Sequence, residues 1–317
     1  MQKLLDYLAT SPENGRFQNW QIQRISGSAN NILYRATNDT DDLAVKFTIR
    51  DARRRAWREY NAFAAARDAG LDVLPEPMWL DEESYAQPVV VARWVDGEVT
   101  AVPPQTDAEW LQLLEIYVKL RQITPQTTNR PIPKGLINFA SVQEGMEQIQ
   151  TQCAAIPKDH YPEQLRMLLA RLESFPDGTP ASESPVALCH VDANTLNFLR
   201  RPHGWASVDW ENSGWGDPAF EIVDTMTHPQ YMSVPDERWA WFVAKYGEMS
   251  GDETAVARIH RTYPLMLVWW VARLARMLYE IPRGGDQRLV ERPSGWQEDL
   301  QMKLDWYAER AEGVMRG

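Results

Sequence analysis

One thirteen-residue stretch, ALCHVDANTLNFL at positions 187–199, constrains this chain more than any other. It begins and ends with apolar residues suited to buried strands, and its middle carries the polar side chains of His190, Asp192, Asn194 and Asn197. Burying polar groups without partners costs free energy. The stretch therefore predicts two buried strands joined by a loop whose polar groups have a function.

Composition limits the classes of protein that this chain can belong to. It has 317 residues with 44% hydrophobic and 24% charged content, which is typical of a globular protein large enough for two lobes. A net charge of −11 argues against nucleic-acid binding, which requires clustered Lys and Arg. No long apolar run and no signal-like N-terminus is apparent, and the two cysteines suggest reduced thiols. We expect a cytoplasmic protein without a membrane span.

The pattern of apolar residues changes near residue 97. Before it, alternating residues predict antiparallel strands around one helix, at 17–25, 31–38, 42–49, 53–69 (the helix), 78–80 and 88–94. After it, helical spacing dominates, with a helix predicted to begin at an N-cap on Asp107. The expected fold class is α+β, with a β-rich lobe at 1–97 and a mainly helical lobe at 98–317.

The polar loop contains the residue types of a divalent-cation site. Asp192 and Asn197 lie five residues apart, and Asp209 follows at the end of a second short strand, WASVDW. Mg²⁺ prefers oxygen ligands and takes the remainder from water and phosphates. A carboxylate that does not bind the metal can accept a hydroxyl proton. The order H-x-D-x-x-x-x-N followed by an apolar residue and Asp matches the catalytic-loop layout of kinases.

Kinase chemistry requires two further features in the first lobe. Lys46 ends the third predicted strand, and Glu59 lies thirteen residues on, in the predicted helix. Small residues between the first two strands suit a loop over phosphates: Gly27, Ser28, Ala29 and Asn30. The helix begins within a basic cluster, IRDARRRAWREY, which is interpreted as a solvated helix face.

These residues resemble the aminoglycoside phosphotransferase and choline kinase family, the small-molecule kinases that share the protein-kinase fold. The resemblance covers residues 21 to about 225, and its most specific motifs are CHVDANTLNFL and VDWENSGWGDPAFEIVD. It implies a two-lobed, protein-kinase-like fold. It also implies Mg·ATP-dependent transfer of the γ-phosphoryl group to a hydroxyl of a small molecule.

The resemblance also implies roles for single residues. Asp192 would be the catalytic base, Asn197 and Asp209 the Mg²⁺ ligands, and Lys46, oriented by Glu59, would hold the α- and β-phosphates of ATP. Adenine would be held by backbone groups near Val91, Arg93, Trp94 and Val95. Asp217 and Glu221 would support the segment that follows the metal-binding aspartate.

The chain departs from the family pattern at two points. Val191 stands where the family usually has glycine, between the histidine and the base. Glu221 stands where an aspartate is common. Neither change removes a required charge, and a β-branched residue beside the base is expected to shape the acceptor pocket.

Several alternative functions remain open. The chain could be a catalytically inactive, kinase-like protein that binds a nucleotide or a partner. Such a protein would be expected to lack one of four residues that are all present here: Lys46, Asp192, Asn197 and Asp209. His190, Asp192 and His203 could form a hydrolase metal site. GWGDPA could be a dinucleotide fingerprint, but the flanking βαβ pattern is lacking. A peptide-directed kinase is disfavoured because the segment after VDW leaves no room for an activation loop.

The acceptor is less constrained than the reaction. A sugar, an amino alcohol and an aminoglycoside are all compatible with the sequence, and the oligomeric state is not indicated. Aromatic faces and carboxylates attract ammonium groups, so a cation-binding wall is possible at Trp215, Trp269, Trp270, Glu211 and Glu280. The competing interpretation is that the tryptophan pair is core and the glutamates are solvated.

Overall fold

The structure is a computed structural model that describes residues 1–25, 31–175, 184–285 and 292–316. The chain divides into two compact units. The first is formed by Met1–Leu136 and Ala187–Trp215, and the second by Ile137–Val186 and most of the chain from Gly216 onward. All of the predicted catalytic and metal-binding residues belong to the first unit.

An antiparallel sheet dominates the first unit. Its strands lie in the order β1-β2-β3-β4-β6-β5, with bounds β1 Gly15–Phe17, β2 Trp20–Ile25, β3 Asn31–Thr37, β4 Asp42–Thr48, β5 Pro77–Asp81 and β6 Val89–Arg93. The sequence predicted one strand at 17–25, whereas the structure places a tight turn between Phe17 and Trp20, which pair directly. The β4–β6 pairing sets Lys46 opposite Val90, near the end of β4.

One face of this sheet is covered by a short helix that sequence patterning missed, α1 (Gln2–Leu8). Its apolar side contributes Leu4, Leu5 and Leu8 to a core with residues from the strands. Burial of this apolar surface stabilises the sheet. At seven residues the helix is too short for its periodicity to stand out from the flanking sequence.

Two longer helices belong to the same unit. Helix α2 (Arg55–Asp68) carries Glu59 and ends before Gly70, which has the positive φ of 71° that glycine tolerates. Helix α3 (Asp107–Leu120) is capped by Thr106, whose side chain accepts from the Glu109 amide while Glu109 reaches back to Thr106. The predicted N-cap at Asp107 was therefore wrong by one residue, because this capping box satisfies the free amides.

The stretch at 187–199 folds as a strand, a loop and a strand. It comprises β7 (Ala187–Cys189), a loop ending in a 3-10 turn at Thr195–Asn197, and β8 (Phe198–Leu199). Strand β8 pairs antiparallel with β9 (Ala206–Ser207), and the chain leaves the unit through β10 (Gly214–Gly216). The polar residues thus lie between buried strands, as the sequence indicated.

The second unit is helical in the part that the structure describes. Its helices are α4 (Val142–Cys153), α5 (Glu163–Leu172), α6 (Phe220–Thr227), α7 (Asp236–Ser250), α8 (Ala255–Glu280) and α9 (Trp296–Val314). Helix α6 was missed because all eight of its residues are buried, so no polar face marks its period. In the described ranges, no helix combines the length and hydrophobicity needed to cross a membrane.

A buried ion-pair network anchors the start of α8. The Arg258 guanidinium donates to both carboxylate oxygens of Asp217, at 2.7 and 3.1 Å, and to Asp252 at 2.8 Å. Asp217 is fixed further because its backbone amide donates to Asn138 at 2.9 Å. The motif residue Asp217 is thus held in this network.

Replacing Arg258 is expected to destabilise the second unit strongly. Arg258→Met leaves two buried carboxylates without their cation, which costs about 3–5 kcal/mol. Arg276→Met in the same helix is the control, because Arg276 is 35% exposed and forms its ion pair with Glu280 four residues on, and such a change costs at most about 1 kcal/mol. Urea unfolding of both variants measures the difference; equal losses would contradict a stabilising role for the buried network.

Candidate active site

The loop between β7 and β8 orients Asp192 by local hydrogen bonds. The Asn194 amide donates to Asp192 Oδ1 at 3.3 Å, and Asn197 Nδ2 donates to the Asp192 carbonyl at 3.3 Å. Asn194 in turn accepts from the Leu196 amide at 3.0 Å, which starts the 3-10 turn. Asn212 Nδ2 lies 3.5 Å from Asp192 Oδ2. Asp192 is half-buried, so its carboxylate is fixed while remaining accessible.

Val191 adopts a backbone conformation that is rare for its residue type. Its φ is 62°, in the left-handed region, and its side chain is buried. A β-branched side chain is sterically disfavoured there, whereas glycine is not. This accounts for glycine at the position in the family that the sequence resembles.

The β8–β9 hairpin brings Asn197 and Asp209 together. The Val208 amide donates to the Asn197 carbonyl at 2.9 Å, just beyond the Phe198–Ser207 pair. Asp209 follows directly, with a left-handed φ of 64°, which aspartate tolerates better than most residues. Because Asn197 Nδ2 donates to Asp192, its amide oxygen points the other way. An amide oxygen and a carboxylate at this place are the hard ligands that Mg²⁺ prefers.

Lys46 lies at the centre of a cluster of three carboxylates. Its Nζ donates to Glu59 Oε2 at 2.7 Å and to Asp209 Oδ1, and it lies 3.9 Å from Glu211 Oε2. Lys46 and Glu59 are buried, while the Asp209 side chain is 34% exposed. The structure thus brings together the strand lysine, the helix glutamate and the aspartate after the hairpin.

Burial and mutual charge shift the pKa values in this cluster. Burial alone would lower the pKa of Lys46, but the charges of Asp209, Glu59 and Glu211 raise it above its ordinary value. For Asp209, burial acts upward, but the charge of Lys46 and its hydrogen bond hold the pKa below the usual range. Burial raises the pKa of Glu59 and of Glu211, against the opposing effect of Lys46.

A second cation, Arg55, completes the cluster. Its Nη1 donates to Glu211 Oε1, and Asn31 Nδ2 donates to Glu211 Oε2 at 3.0 Å. Arg55 is only 4% exposed, so the interpretation of the basic cluster as a solvated face is wrong for this residue. Glu211 was considered for a cation-binding wall, whereas the structure buries it against Arg55.

A further arginine of α2 holds the backbone of the same segment. Arg58 Nη1 donates to the Ser213 carbonyl at 2.8 Å and to the Lys134 carbonyl at 2.9 Å. Sequence reasoning missed Arg55, Arg58 and Asn212. The spacing of Arg55 and Arg58 at i and i+3 placed them on one helix face, but nothing in the sequence identified their partners.

His190 connects the loop that carries Asp192 to the backbone at Val208 and Asp209. It is 1% exposed, and Nε2 lies 3.0 and 3.1 Å from the carbonyls of Val208 and Asp209. Because a carbonyl only accepts, Nε2 carries the proton. Burial lowers the pKa of His190 to about 4. The residue thus connects the β7 end to the Asp209 segment as a neutral donor.

The structure limits which backbone groups could meet adenine. Val91 pairs with Val45 on one side and Trp79 on the other. The Arg93 amide donates to the Glu76 carbonyl at 2.8 Å, and the Trp94 amide to the Asp42 carbonyl at 2.9 Å. Val95 lies beyond the last paired residue of β6. The phosphate-loop candidates Gly27, Ser28, Ala29 and Asn30 lie outside the described residues.

The other residues considered for a cation-binding wall are packed against, or paired with, other parts of the protein. Trp269 is 1% exposed, and Trp270 stacks on Tyr307 with centroids 5.5 Å apart. Glu280 accepts from Arg276 at 2.8 Å, and the backbone of Trp215 pairs with Pro133 and Gly135. The tryptophan pair therefore belongs to the helical core.

Two alternative site assignments lose support. A hydrolase metal site would need the His190 ring as a ligand, whereas this ring is 1% exposed and its Nε2 donates to the carbonyls of Val208 and Asp209. The glycines of GWGDPA are explained by packing, since a Cβ at Gly214 would lie 2.4 Å from the Gly135 amide nitrogen. At Gly216 it would lie 2.3 Å from the Asn138 side chain.

Comparison with known proteins identifies the fold. The model of the phosphotransferase enzyme family matches residues 21–264, whereas no curated protein matches the chain. A provisionally assigned aminoglycoside phosphotransferase from Ralstonia eutropha superposes with a TM-score of 0.71 at 15% identity, covering 100% of this chain and 98% of its own.

Two further solved structures agree. A spectinomycin phosphotransferase in complex with ADP and spectinomycin gives a TM-score of 0.61 at 11% identity, covering 99% of this chain and 98% of its own. The choline kinase LicA from Streptococcus pneumoniae gives 0.57 at 16% identity, covering 98% and 99%. These similarities confirm the predicted α+β, kinase-like fold.

The conformation of Val191 is expected to reverse the usual effect of glycine on stability. Val191→Ala keeps a Cβ at a left-handed φ, whereas Val191→Gly removes it, so the Gly variant should be more stable by about 1 kcal/mol. Ala193→Gly is the control, expected to destabilise by about 0.5–1 kcal/mol relative to alanine. Urea unfolding provides the values, and a V191G variant less stable than V191A would refute the strain.

His190 is expected to make stability depend on pH. Its folded pKa of about 4 lies below the unfolded value of about 6.5. The unfolded chain therefore binds more protons between these values, and stability falls as pH drops from 6.5 towards 4. The loss at pH 5 relative to pH 7.5 should be about 2 kcal/mol from this group. His190→Asn should flatten the profile by that amount, and an unchanged slope would contradict it.

Proposed function

This chain belongs to the phosphotransferase enzyme family, and from that premise we propose that it is a Mg·ATP-dependent kinase that phosphorylates a hydroxyl of a small molecule. The observation that carries the proposal is the convergence on Lys46. This buried lysine contacts Glu59 from α2 and Asp209 from the segment after β9. A solvated strand lysine would have no need of two carboxylate partners, one of them buried.

In this proposal each residue of the first unit has a separate role in phosphoryl transfer. Glu59 fixes the Lys46 ammonium, which neutralises the α- and β-phosphate oxygens of ATP. The backbone at Val95 contacts adenine, since the amides of Arg93 and Trp94 already donate within the sheet. Such positioning and charge neutralisation dominate phosphoryl transfer, which needs little covalent catalysis.

Asp192 is assigned as the base. Its half-buried carboxylate is held by the Asn194 amide and lies near Asn212, so it can align an acceptor hydroxyl and accept its proton as the γ-phosphoryl group leaves ATP. Asn197 and Asp209 are assigned as the oxygen ligands of Mg²⁺. When bound, that ion supplies charge neutralisation for the nucleotide phosphates.

The class of acceptor is inferred from proteins of similar fold. Solved structures of similar fold include a spectinomycin phosphotransferase and choline kinases. We propose that the acceptor is an alcohol of one of three classes: an amino alcohol, an aminoglycoside or a sugar. A cationic acceptor is compatible with the net charge of −11, although Glu211 is not available to bind it because Arg55 occupies one carboxylate oxygen.

The alternative function is a nucleotide-binding protein without catalysis. It would retain Lys46 and Glu59 without needing a base. The ordered loop around Asp192 argues for catalysis, because three polar contacts orient its carboxyl group and carbonyl. Turnover distinguishes the two functions.

Removing the proposed base should lower turnover strongly and leave nucleotide binding unchanged. Asp192→Asn is expected to lower kcat by about 10²- to 10⁴-fold, while the Kd for MgATP stays within about threefold, since the residue contacts the acceptor. The measurement is ATP consumption with Mg²⁺ across a panel of amino alcohols, aminoglycosides and sugars, with MgATP binding followed by calorimetry.

The control is Asp39→Asn, an exposed residue of the β3–β4 turn, which should behave as wild type. Nucleotide binding without stimulation by any acceptor would favour the non-catalytic alternative. Failure of wild-type protein to bind MgATP would exclude the proposed function.

A further inference from the structure

We propose that Arg55 is a positioning residue that acts through Glu211: by binding this carboxylate it keeps Lys46 available for the nucleotide phosphates. The inference rests on the proposed function, because it concerns the same lysine. Arg55 does not itself reach the nucleotide in this assignment. Its effect is to determine which carboxylate Lys46 pairs with.

The geometry places Glu211 between two cations. Glu211 Oε1 accepts from Arg55 Nη1, and Glu211 Oε2 accepts from Asn31 at 3.0 Å while lying 3.9 Å from Lys46 Nζ. Arg55 and Glu211 are both at least 95% buried, at 4% and 5% exposure. A buried carboxylate requires a cation or several donors. With Arg55 present, that requirement is met without Lys46.

Among the described residues, the ion-pair partners of Glu211 are Arg55 and Lys46, so that without Arg55 the Lys46 ammonium at 3.9 Å is the cation left beside it. Opposite charges at this separation attract strongly in a buried site, and a small side-chain movement would close the 3.9 Å gap. Lys46 would then be drawn towards Glu211 and away from Glu59, the partner that orients it at 2.7 Å. The ammonium would lose the position from which it is proposed to contact the phosphates.

Arg55, the first residue of α2, is itself held in place by the connection from β4. Its Nε donates to Asp51 Oδ2 at 3.0 Å. Asp51 also accepts from Arg53, from the backbone amide at 3.0 Å and from Nε at 2.8 Å. The β4–α2 connection is therefore an ion-pair network that directs one guanidinium towards Glu211.

The backbone next to Glu211 is anchored separately. Arg58 donates to the carbonyls of Ser213 and Lys134, and the Leu136 amide donates to the Asn212 carbonyl at 3.2 Å. Removal of Arg55 should consequently change the charge balance around Lys46 while this segment keeps its path. That separation makes the proposal testable by mutation.

The test is a double-mutant cycle between Arg55→Met and Glu211→Gln, read as the Kd for MgATP by calorimetry well below the melting temperature. R55M should weaken MgATP binding by about 10- to 100-fold in the wild-type background. In the E211Q background it should cost less than about threefold, because the competing carboxylate is gone. The coupling is informative even if E211Q alone weakens binding.

Arg67→Met is the matched control on the same helix, since Arg67 is exposed and pairs with Glu76 at 3.3 Å; its Kd should equal that of wild type. Equal losses from R55M in both backgrounds would overturn the inference. So would a lowered melting temperature with an unchanged Kd, since Arg55 would then serve stability alone.

If R55M does not fold, Arg55→Gln replaces it, because it removes the charge and keeps a hydrogen-bond donor. A loss of MgATP affinity in the wild-type background that falls below about threefold in the E211Q background would support the inference, and equal losses in both backgrounds, or none, would overturn it. Absence of MgATP binding by wild-type protein would reject the proposed function and this inference together, whereas equal losses in the cycle reject only the role of Arg55.

Discussion

A single buried ammonium group among three carboxylates sets the main constraint on the first unit. Lys46 cannot be buried without anionic partners, and those partners come from two separate parts of the chain: Glu59 from α2, and Asp209 with Glu211 from the segment after β9. The sheet, the helix and the hairpin must therefore meet at one point. Arg55 and Arg58 reinforce this convergence, since both run from α2 to the same segment.

Backbone strain occurs in the two segments that carry Asp192 and Asp209. Val191 and Asp209 both have a left-handed φ. Val191 directly precedes Asp192, and Asp209 itself contacts Lys46. Strain of this kind costs free energy and persists only where the surroundings enforce it. Here His190 helps to hold both conformations. Its ring donates to the carbonyls of Val208 and Asp209, and its own backbone directly precedes Val191. One buried imidazole therefore links both strained residues.

Sequence reasoning identified the parts of the site that follow from local pattern. The pairing of Lys46 with Glu59 could be predicted because the resemblance to kinases implies a strand lysine that is held by a helix glutamate. The partner of Arg55 could not, since Glu211 lies 156 residues away and a basic cluster usually marks a solvated face. Helices α1 and α6 were not predicted, for different reasons. Helix α1 is too short to show a helical period of apolar residues, and helix α6 is buried on every side. The capping box at Thr106 was available from the sequence, as the Glu three residues on shows.

The charge balance of the cluster bears on the proposed reaction. Two cations, Lys46 and Arg55, face three carboxylates, Glu59, Asp209 and Glu211, so the described cluster carries an excess of negative charge when all are ionised. The segment between β2 and β3, SGSAN, adds no charged side chain. A triphosphate entering such a site would be repelled unless a cation accompanied it. The same excess helps to raise the pKa of Glu59 and of Glu211. In the proposed function, a divalent ion held by Asp209 and Asn197 would reverse this balance, so the nucleotide would enter as its metal complex.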